Sequence, residues 1–286
     1  EVDQVMRELR EVPGVTVMVY VQTCAAELRR RRHRGKAPDP DIRVWINPAV
    51  CEGCGDCSVQ SNCIAVEPEE TAFGRKRRIN QSACNKDISC IKGFCPSFVT
   101  LQGAVPRKPQ AQAAPDTASL PDPQLPPQGR TWNIAVTGVG GTGVLTIGAL
   151  IGMAAHIEGR RPLILDMAGL AQKGGAVISH IRIGPADAPP TAPRIAAGGA
   201  DVLLAADAVV GGSKEAVQLC DPGHTHAVVN RHLAPVSDFV RQRDFNFRPA
   251  EVEGAIARVT RSPADRQDFT AAARALCGDE IAANVM

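Results

Sequence analysis

Hydrophobic positions near the start of the chain predict one helix and one buried strand. Residues 2 to 12 carry apolar side chains at three- and four-residue spacing, which predicts an amphipathic helix that ends at Pro13 and Gly14. Residues 15 to 21 form an almost unbroken apolar run, as in a strand that is buried on both faces of a parallel sheet. Because a strand needs partners, we expect its sheet upstream of this sequence or in another chain.

The longest regular pattern lies after residue 131. Apolar runs predict five strands, and the segments between them have helical character. The predicted strands span residues 132–137, 162–166, 176–183, 202–206 and 226–230, with a long apolar helix at 144–156. This alternation is typical of an α/β fold, here a mainly parallel three-layer domain over residues 131–286 that we expect to be truncated.

A proline-rich stretch separates that domain from the first part of the chain. Residues 106–130 contain seven prolines and almost no side chains to bury, so they are predicted to form an extended linker. Residues 42–46 alternate like a short strand and begin a small α+β segment over residues 41–105. An extended linker of this length would allow the two domains to stand apart.

Composition excludes few classes of protein. Hydrophobic residues make up 44% of the 286 and charged residues 22%, as in an ordinary globular protein. A formal net charge of +2 and only ten aromatic residues disfavour general nucleic-acid binding. No apolar run is long enough to predict a membrane span.

The cysteines carry the strongest chemical signal. Seven of the ten lie between Cys51 and Cys95, and the first three, Cys51, Cys54 and Cys57, follow one another at C-x2-C spacing. Two successive steps of this kind let three thiolates converge on one iron-sulfur cluster, and a cysteine followed by proline, as in Cys95–Pro96, ends many bacterial ferredoxin runs. The segment is therefore predicted to be ferredoxin-like, with one or two 4Fe-4S clusters.

An internal repeat with an offset of 33 residues suggests how the ligands divide. Ile46, Asn47 and Cys51 recur as Ile79, Asn80 and Cys84. In this alignment Cys57 matches Cys90, and Cys54 matches a carboxylate, Asp87. In two-cluster ferredoxins the last cysteine of a run serves the other cluster. We expect one cluster on Cys51, Cys54, Cys57 and Cys95 and another on Cys63, Cys84, Cys90 and Asp87; alternatively, Asp87 caps a turn and only the first cluster forms.

A zinc ribbon and a disulfide framework fit the cysteine spacing less well. A zinc ribbon pairs two C-x2-C knuckles, and a disulfide framework is typical of short secreted chains. Neither matches three thiols in tandem beside a half that lacks C-x2-C spacing. Cys24, Cys220 and Cys277 lie far from the others and are predicted to be buried thiols.

A glycine-rich turn opens the α/β domain. Gly138, Gly140, Gly141 and Gly143 stand between a predicted strand and helix, where unpaired N–H groups could bind a phosphate. Asp166 follows about 20 residues later, as in a dinucleotide fingerprint. A second glycine-rich loop at residues 169–175 complicates that interpretation, and a third possibility is that the glycines serve only helix–sheet packing.

A short basic run lies between the two cysteine groups. Residues 75–78 read Arg-Lys-Arg-Arg. They could form one face of a hairpin, or they could steer an acidic electron-carrier protein towards the clusters.

Together these segments resemble the fused indolepyruvate ferredoxin oxidoreductases, within the 2-oxoacid:ferredoxin oxidoreductase family. The resemblance rests on residues 51–57, 73–78, 84–87 and 92–98 for the cluster segment and on residues 138–143 with 169–175 for the gamma domain. By the same resemblance, residues 1–40 are the C-terminal tail of a thiamine-diphosphate-binding domain. The thiamine motif itself, a GDG sequence, does not occur in the chain.

The resemblance implies a function for the whole enzyme. Upstream domains of the same polypeptide would bind thiamine diphosphate and Mg²⁺ and decarboxylate an aryl 2-oxoacid, with coenzyme A as co-substrate and ferredoxin as electron acceptor. We expect a cytoplasmic homo-oligomer with no nucleic-acid or membrane partner. Residues 1–286 would supply the electron relay and are expected to be inactive alone. The main alternative is an NAD(P)-linked oxidoreductase module with a ferredoxin-like arm.

Overall fold

The computed structural model describes most of the chain. The described residues are 1–105, 121–122, 124–125, 127, 129–169, 175–234, 239, 242, 244–261 and 263–286. They divide into two compact units, Glu1–Pro40 and Asp41–Met286. In these residues, no helix has the length and apolar character needed to cross a membrane.

The first unit contains two helices, α1 (Val2–Arg10) and α2 (Ala25–His33). The strand predicted for residues 15–21 is not formed. Val15 and Val21 are 96% and 89% exposed, so most of this apolar run is uncovered in its unit. A strand exists only through hydrogen bonds to a neighbour, and Glu1–Pro40 supplies none; the sheet expected outside this sequence stays a prediction.

The cysteine-rich segment, which we define as residues 41–105, is built from two antiparallel strand pairs. β1 (Ile42–Ile46) pairs with β4 (Phe98–Gln102), and β2 (Val66–Thr71) forms a hairpin with β3 (Gly74–Ile79). A short helix, α3 (Asp56–Ser61), and a 3-10 turn at Ser89–Ile91 lie in the connections. The β1–β4 pair joins the two ends of this segment, whereas β2 and β3 are neighbours in sequence and lie between the two cysteine loops.

The α/β domain contains a six-stranded sheet. Its strands are β5 (Trp132–Val139), β6 (Arg161–Ala168), β7 (Ala176–Gly184), β8 (Val202–Ala205), β9 (His226–Asn230) and β10 (Asp265–Gln267). The order is β10-β9-β8-β5-β7-β6, and only β7 runs antiparallel to its neighbours. The predicted α/β class with a mainly parallel sheet is confirmed.

Helices cover both faces of this sheet. α4 (Val144–Ile157) packs on the face that carries Val136 and Ile181. The opposite face carries Ala135 and Leu203 and packs against α5 (Ala208–Gly211) and α7 (Pro249–Ala257). The remaining elements are α6 (Lys214–Val217), α8 (Phe269–Cys277) and a 3-10 helix at Glu280–Val285. Alternate residues of β5 enter the two cores, which is the three-layer arrangement expected from the sequence.

The cysteine-rich segment and the α/β domain contact each other directly. Asn80 donates from Nδ2 to both carboxylate oxygens of Glu280, at 2.7 and 2.8 Å. Arg274 lies 3.5 Å from Glu67, and Arg75 donates to the carbonyl oxygen of Phe245 at 2.6 Å. The linker predicted for residues 106–130 lies largely outside the described residues, and charged side chains of the β2–β3 hairpin join the two domains.

Candidate metal centre

The first cysteine loop has a left-handed backbone conformation that residues with a Cβ rarely adopt. Gly53 and Gly55 have φ values of 73° and 85°, and the Gly53 N–H donates to Cys51 Sγ over 3.4 Å. A Cβ at Gly53 would collide with the carbonyl oxygen of Arg75, so the loop lies directly on strand β3. Glycine is required here both by the left-handed conformation and by the close approach.

The second loop repeats this geometry without glycine. Lys86 and Ile88, each 33 residues beyond a glycine of the first loop, have φ values of 54° and 59°. The Lys86 N–H donates to Cys84 Sγ over 3.4 Å, the same bond as in the first loop. Left-handed backbone is costly for residues with a Cβ, so its recurrence at matched positions shows that the second loop keeps the shape of the first.

The residues that introduce the two loops also correspond. The backbone N–H of Asn47 donates to the Ser97 carbonyl, and that of Asn80 donates to the Ala65 carbonyl, each over 2.8 Å. Both side-chain oxygens accept a backbone N–H two residues later, at 3.0 Å in each case. The internal duplication inferred from the sequence is therefore present in the contacts.

Six of the cysteines form two groups whose members influence one another's pKa. The first group is Cys51, Cys54 and Cys57, and the second is Cys63, Cys84 and Cys90. Burial raises the pKa of Cys57 to about 11, and among the charges that act on it are those of Cys51 and Cys54. Burial also raises the pKa of Cys90 to about 12, and Cys84 and Cys63 raise it further. Without metal these two thiols are protonated at neutral pH, so a bound metal would have to displace their protons.

The two groups adjoin each other. Cys57, a member of the first group, also raises the pKa of Cys90 in the second group. In the described part of the chain, no three Cys, His, Asp or Glu side chains converge closely enough to hold one metal ion. An iron-sulfur cluster binds each thiolate through a different iron, so its ligands stay farther apart than the donors of a single ion. The donor set of each group, three thiols, is of the kind that binds such a cluster.

Asp87 lies beside the second group. It lines the same cavity as Cys63, Cys84 and Cys90. Its Oδ1 accepts hydrogen bonds from the backbone N–H and hydroxyl of Ser89, at 3.2 and 3.0 Å. Asp87 thus caps a turn, as the single-cluster alternative expected, and it does so at the edge of the cavity where the second ligand set is predicted.

The strand pair β1–β4 brings Cys95 to the same end as the first cysteine loop. Ile46 pairs with Phe98, so Cys51, which follows β1, and Cys95, which precedes β4, lie beyond the same end of this pair. Cys95 Sγ is 3.0 Å from the hydroxyl oxygen of Ser97. The hairpin register Val66 to Ile79 places Cys63 beside Cys84 in the same way.

The arginines of the basic run at residues 75–78 mostly make contacts within the protein. Arg75 contacts Glu70, and Arg78 contacts Glu67 at 3.0 Å. Arg77 is only 1% exposed. The run lies in strand β3 of the β2–β3 hairpin, and the buried Arg77 is not available to steer a partner. Sequence reasoning missed the burial of Arg77, although its alternation with Ile79 along β3 could have indicated it.

The glycine turn of the α/β domain is closely packed. A side chain at Gly138 would meet Thr142 and Val144, and one at Gly143 would collide with the side chain of Asn284. The Gly140 N–H donates to the Gly175 carbonyl over 2.7 Å. Gly141 has a φ of 100° and forms the tight part of the turn. These contacts show that the glycines allow close packing. That the turn binds the phosphate of a cofactor stays a prediction.

Asp166 does not have the position that a dinucleotide fingerprint requires. It is exposed on β6, and the antiparallel strand β7 separates β6 from β5. In the fingerprint, the acidic residue ends the strand next to the glycine turn. The second glycine-rich loop falls mainly on residues 170–174, which lie outside the described residues.

The three cysteines outside the cysteine-rich segment differ from expectation. Cys220 is buried as predicted, but Cys24 and Cys277 are exposed. Cys277 is the last residue of helix α8 and is exposed although it follows the buried Ala273 by four residues, so the apolar pattern did not indicate where the burial ends. His180 is buried and accepts the Ile195 N–H at Nδ1, as expected of a core histidine.

Curated relatives match parts of this chain. It is 45% identical over 73 residues to the indolepyruvate oxidoreductase subunit IorB of Archaeoglobus fulgidus, which is 26% of this chain and 34% of that protein. It is 40% identical over 55 residues to the protein of the same name from Thermococcus kodakarensis, 19% of this chain and 27% of that one. The chain thus spans about a third or less of the relatives that it matches.

Two solved structures are similar to part of this chain. Pyruvate oxidoreductase subunit PORC from Thermotoga maritima matches with 18% identity over 51% of this chain and 66% of that one, at a TM-score of 0.33. The gamma subunit of keto/oxoacid ferredoxin oxidoreductase from Geobacter sulfurreducens matches with 22% identity over 54% and 71%, at a TM-score of 0.32.

The family itself is established by the α/β domain. The sequence profile of pyruvate ferredoxin/flavodoxin oxidoreductase matches residues 133–286, which is more than half of the chain. The match begins within β5 and extends over the whole six-stranded sheet. The chain therefore belongs to the pyruvate ferredoxin/flavodoxin oxidoreductase family.

Proposed function

We propose that this chain is the electron-relay and accessory part of a thiamine-diphosphate-dependent 2-oxoacid ferredoxin oxidoreductase of the indolepyruvate type. Residues 41–105 bind two 4Fe-4S clusters. Cys51, Cys54, Cys57 and Cys95 hold the first, and Cys63, Cys84, Cys90 and Asp87 hold the second. Membership of the family and the IorB relatives support the reaction class.

One observation carries the cluster assignment. Two loops of the same backbone shape present cysteines at matched positions, and strand register puts Cys95 beyond the end of the β1–β4 pair near the first loop and Cys63 before the hairpin near the second, which supports them as the fourth ligands. This is the crossed arrangement of two-cluster ferredoxins, in which the last cysteine of one run serves the other cluster. A zinc ribbon pairs two C-x2-C knuckles, whereas here one loop carries three cysteines in tandem and the other lacks C-x2-C spacing.

When bound, the clusters would accept and release single electrons. The contribution of the protein is to bind, separate and shield them. The N–H groups of Gly53 and Lys86 donate to thiolate sulfurs and so lower their negative charge. Cys57 and Cys90 join the two groups, which favours transfer between neighbouring sites inside one small segment.

The wider reaction places this segment between two partners. Domains elsewhere in the enzyme would bind thiamine diphosphate and Mg²⁺, oxidise the 2-oxoacid and pass the acyl group to coenzyme A. Ferredoxin would take the electrons that leave the clusters. The relatives named IorB are called subunits, so we expect the working enzyme to be an assembly, located in the cytoplasm.

Iron and sulfide analysis of anaerobically reconstituted protein tests the proposal. We expect about eight irons per chain if both clusters form and about four if only one does. Cys54→Ser should remove the first cluster and Cys90→Ser the second. Cys277→Ser, at an exposed thiol outside both groups, is the matched control and should leave the iron content unchanged. Tight binding of one or two zinc ions in place of iron and sulfide would overturn the proposal.

A further inference from the structure

Arg77 is the largest fully buried side chain in the described residues. A buried guanidinium is costly unless a negative charge or a set of acceptors surrounds it. The groups that surround Arg77 in the fold therefore indicate which negative charge it balances.

The position of Arg77 follows from the hairpin register. Val66 pairs with Ile79 and Pro68 with Arg77, so Arg77 and Ile79 share one face of β3. Ile79 packs in the core that contains Cys51 and Cys63. The neighbouring Lys76 and Arg78 point to the other face, where Arg78 pairs with Glu67. Arg77 is thus the member of the basic run that faces the cysteine core.

The first cysteine loop lies against the same strand. Gly53 contacts the backbone of Arg75 and Lys76 so closely that no side chain would fit. The positive charge of Arg77 acts on Cys57, Cys51 and Cys54, the three thiols of that loop. Burial lowers the pKa of Arg77 from its ordinary value, and Cys57 opposes that change.

A phenylalanine of the α/β domain, Phe239, stacks on the guanidinium of Arg77. The Arg77 Cζ lies 4.5 Å from the ring centroid of Phe239. Phe239 is itself only 1% exposed and packs against Phe247, with ring centroids 5.8 Å apart. An arginine stacked on a buried aromatic ring has little freedom to turn away.

We propose that Arg77 is the fixed counter-charge of the first cluster and raises its reduction potential. The inference rests on the proposed function, namely that Cys51, Cys54 and Cys57 bind a cluster. Reduction adds one negative charge to the cluster, and a nearby positive charge in a medium of low polarity stabilises the reduced form more than the oxidised form. Arg77 is a positioning and tuning residue, and it donates no ligand to the iron.

Redox titration of the reconstituted protein, followed by electron paramagnetic resonance, tests this. At the potential where the first cluster of the wild type is half reduced, Arg77→Met should lower the ratio of reduced to oxidised cluster by about tenfold or more, which is about 59 mV for one electron. Arg77→Lys keeps the charge but loses the planar stacking on Phe239, so it should lower the ratio by clearly less than Arg77→Met does. The second cluster should respond less than the first in Arg77→Met.

Lys76→Met is the matched control, because it removes the same charge one residue away on the opposite face. It should leave the first midpoint close to that of the wild type. Equal shifts in Lys76→Met and Arg77→Met, or an unchanged midpoint in Arg77→Met, would overturn the inference. If Arg77→Met does not fold, Phe239→Leu keeps the charge but removes the ring that holds it, and the first midpoint must again become more negative.

The two proposals fail in different ways. A wild-type protein that incorporates no iron and sulfide contradicts the cluster assignment. A protein that binds its clusters normally but shows the same potential with and without Arg77 contradicts only the role of this residue.

Discussion

Lys86 has the same left-handed backbone as Gly53, 33 residues earlier, and its N–H makes the same 3.4 Å bond to the preceding cysteine sulfur. The first loop meets the conformational requirement with glycine, and the second meets it with a residue that carries a Cβ. The shape of the second loop is therefore maintained at a cost in backbone energy.

This relationship predicts opposite effects of two substitutions. Lys86→Gly should raise the free energy of unfolding by about 0.5–1 kcal/mol, because relief of left-handed strain exceeds the entropy cost of glycine. Gly53→Ala should lower it by more than about 2 kcal/mol, because a Cβ collides with the Arg75 carbonyl. Urea unfolding measures both. Lys92→Gly, at a φ of −68°, is the control and should destabilise the protein.

Asp87 is predicted to bind an iron of the second cluster. Asp87→Cys should hold that iron more firmly, because a thiolate is a softer donor than a carboxylate. Iron retention during dialysis against a chelator, with electron paramagnetic resonance of the cluster, measures the effect. Ser89→Ala removes the hydrogen-bond donor of the turn and leaves the carboxylate in place. If Asp87→Cys and Ser89→Ala behave alike, Asp87 acts only as a turn cap.

The glycine turn is predicted not to bind NAD tightly. β7 separates the strand of Asp166 from β5, and the side chain of Asn284 lies against Gly143. Isothermal titration should therefore give no binding at micromolar NAD. Micromolar binding that Asp166→Ala abolishes would instead favour the NAD-linked alternative. Binding of coenzyme A would assign the turn a phosphate-binding role.

Gly143 should be sensitive to substitution because of its packing. Gly143→Ala is expected to lower the free energy of unfolding by about 2–3 kcal/mol, from left-handed strain together with the clash against Asn284. Gly159→Ala, at a φ of 75° with open space around it, should cost only the strain, about 1–2 kcal/mol. If the two variants lose the same stability in thermal or urea unfolding, Asn284 does not fill the turn.

Asp207 should make stability fall as the pH rises. Burial raises its pKa from 3.8 to about 6, although the N–H groups of Val210 and Val139 donate to its carboxylate and oppose the change. Between about pH 4 and 6 the folded state keeps a proton that the unfolded chain has released, so this group costs on the order of 3 kcal/mol across that window. Asp207→Asn should flatten the slope of unfolding free energy against pH. Parallel curves for both proteins would contradict the assignment.

Local pattern was sufficient for most of the strands and for the repeat. The bounds predicted for β9 are the observed ones, and the spacing of Cys51 and Cys84 indicates the duplication that the loop contacts also show. These features depend on side-chain periodicity and spacing, which a sequence displays directly.

Features that depend on partners distant in the chain were not predicted. The run at residues 15–21 has the composition of a strand but no neighbour to pair with in its unit. Arg77 belongs to a charged run, yet Phe239, 162 residues later, helps to bury it. The antiparallel direction of β7 also depends on pairing between distant residues, which periodicity does not specify.

The charged contacts between the β2–β3 hairpin and the end of the chain make unfolding cooperative. Glu67 is 4% exposed and is bound by Arg78, Asn80 and Arg274 together. If the cysteine-rich segment detached alone, this buried carboxylate would lose Arg274, and the Glu280 carboxylate would lose Asn80. Because such losses are expensive, residues 41–286 should melt in a single calorimetric transition, and the cysteine loops should resist local opening as long as the sheet is folded.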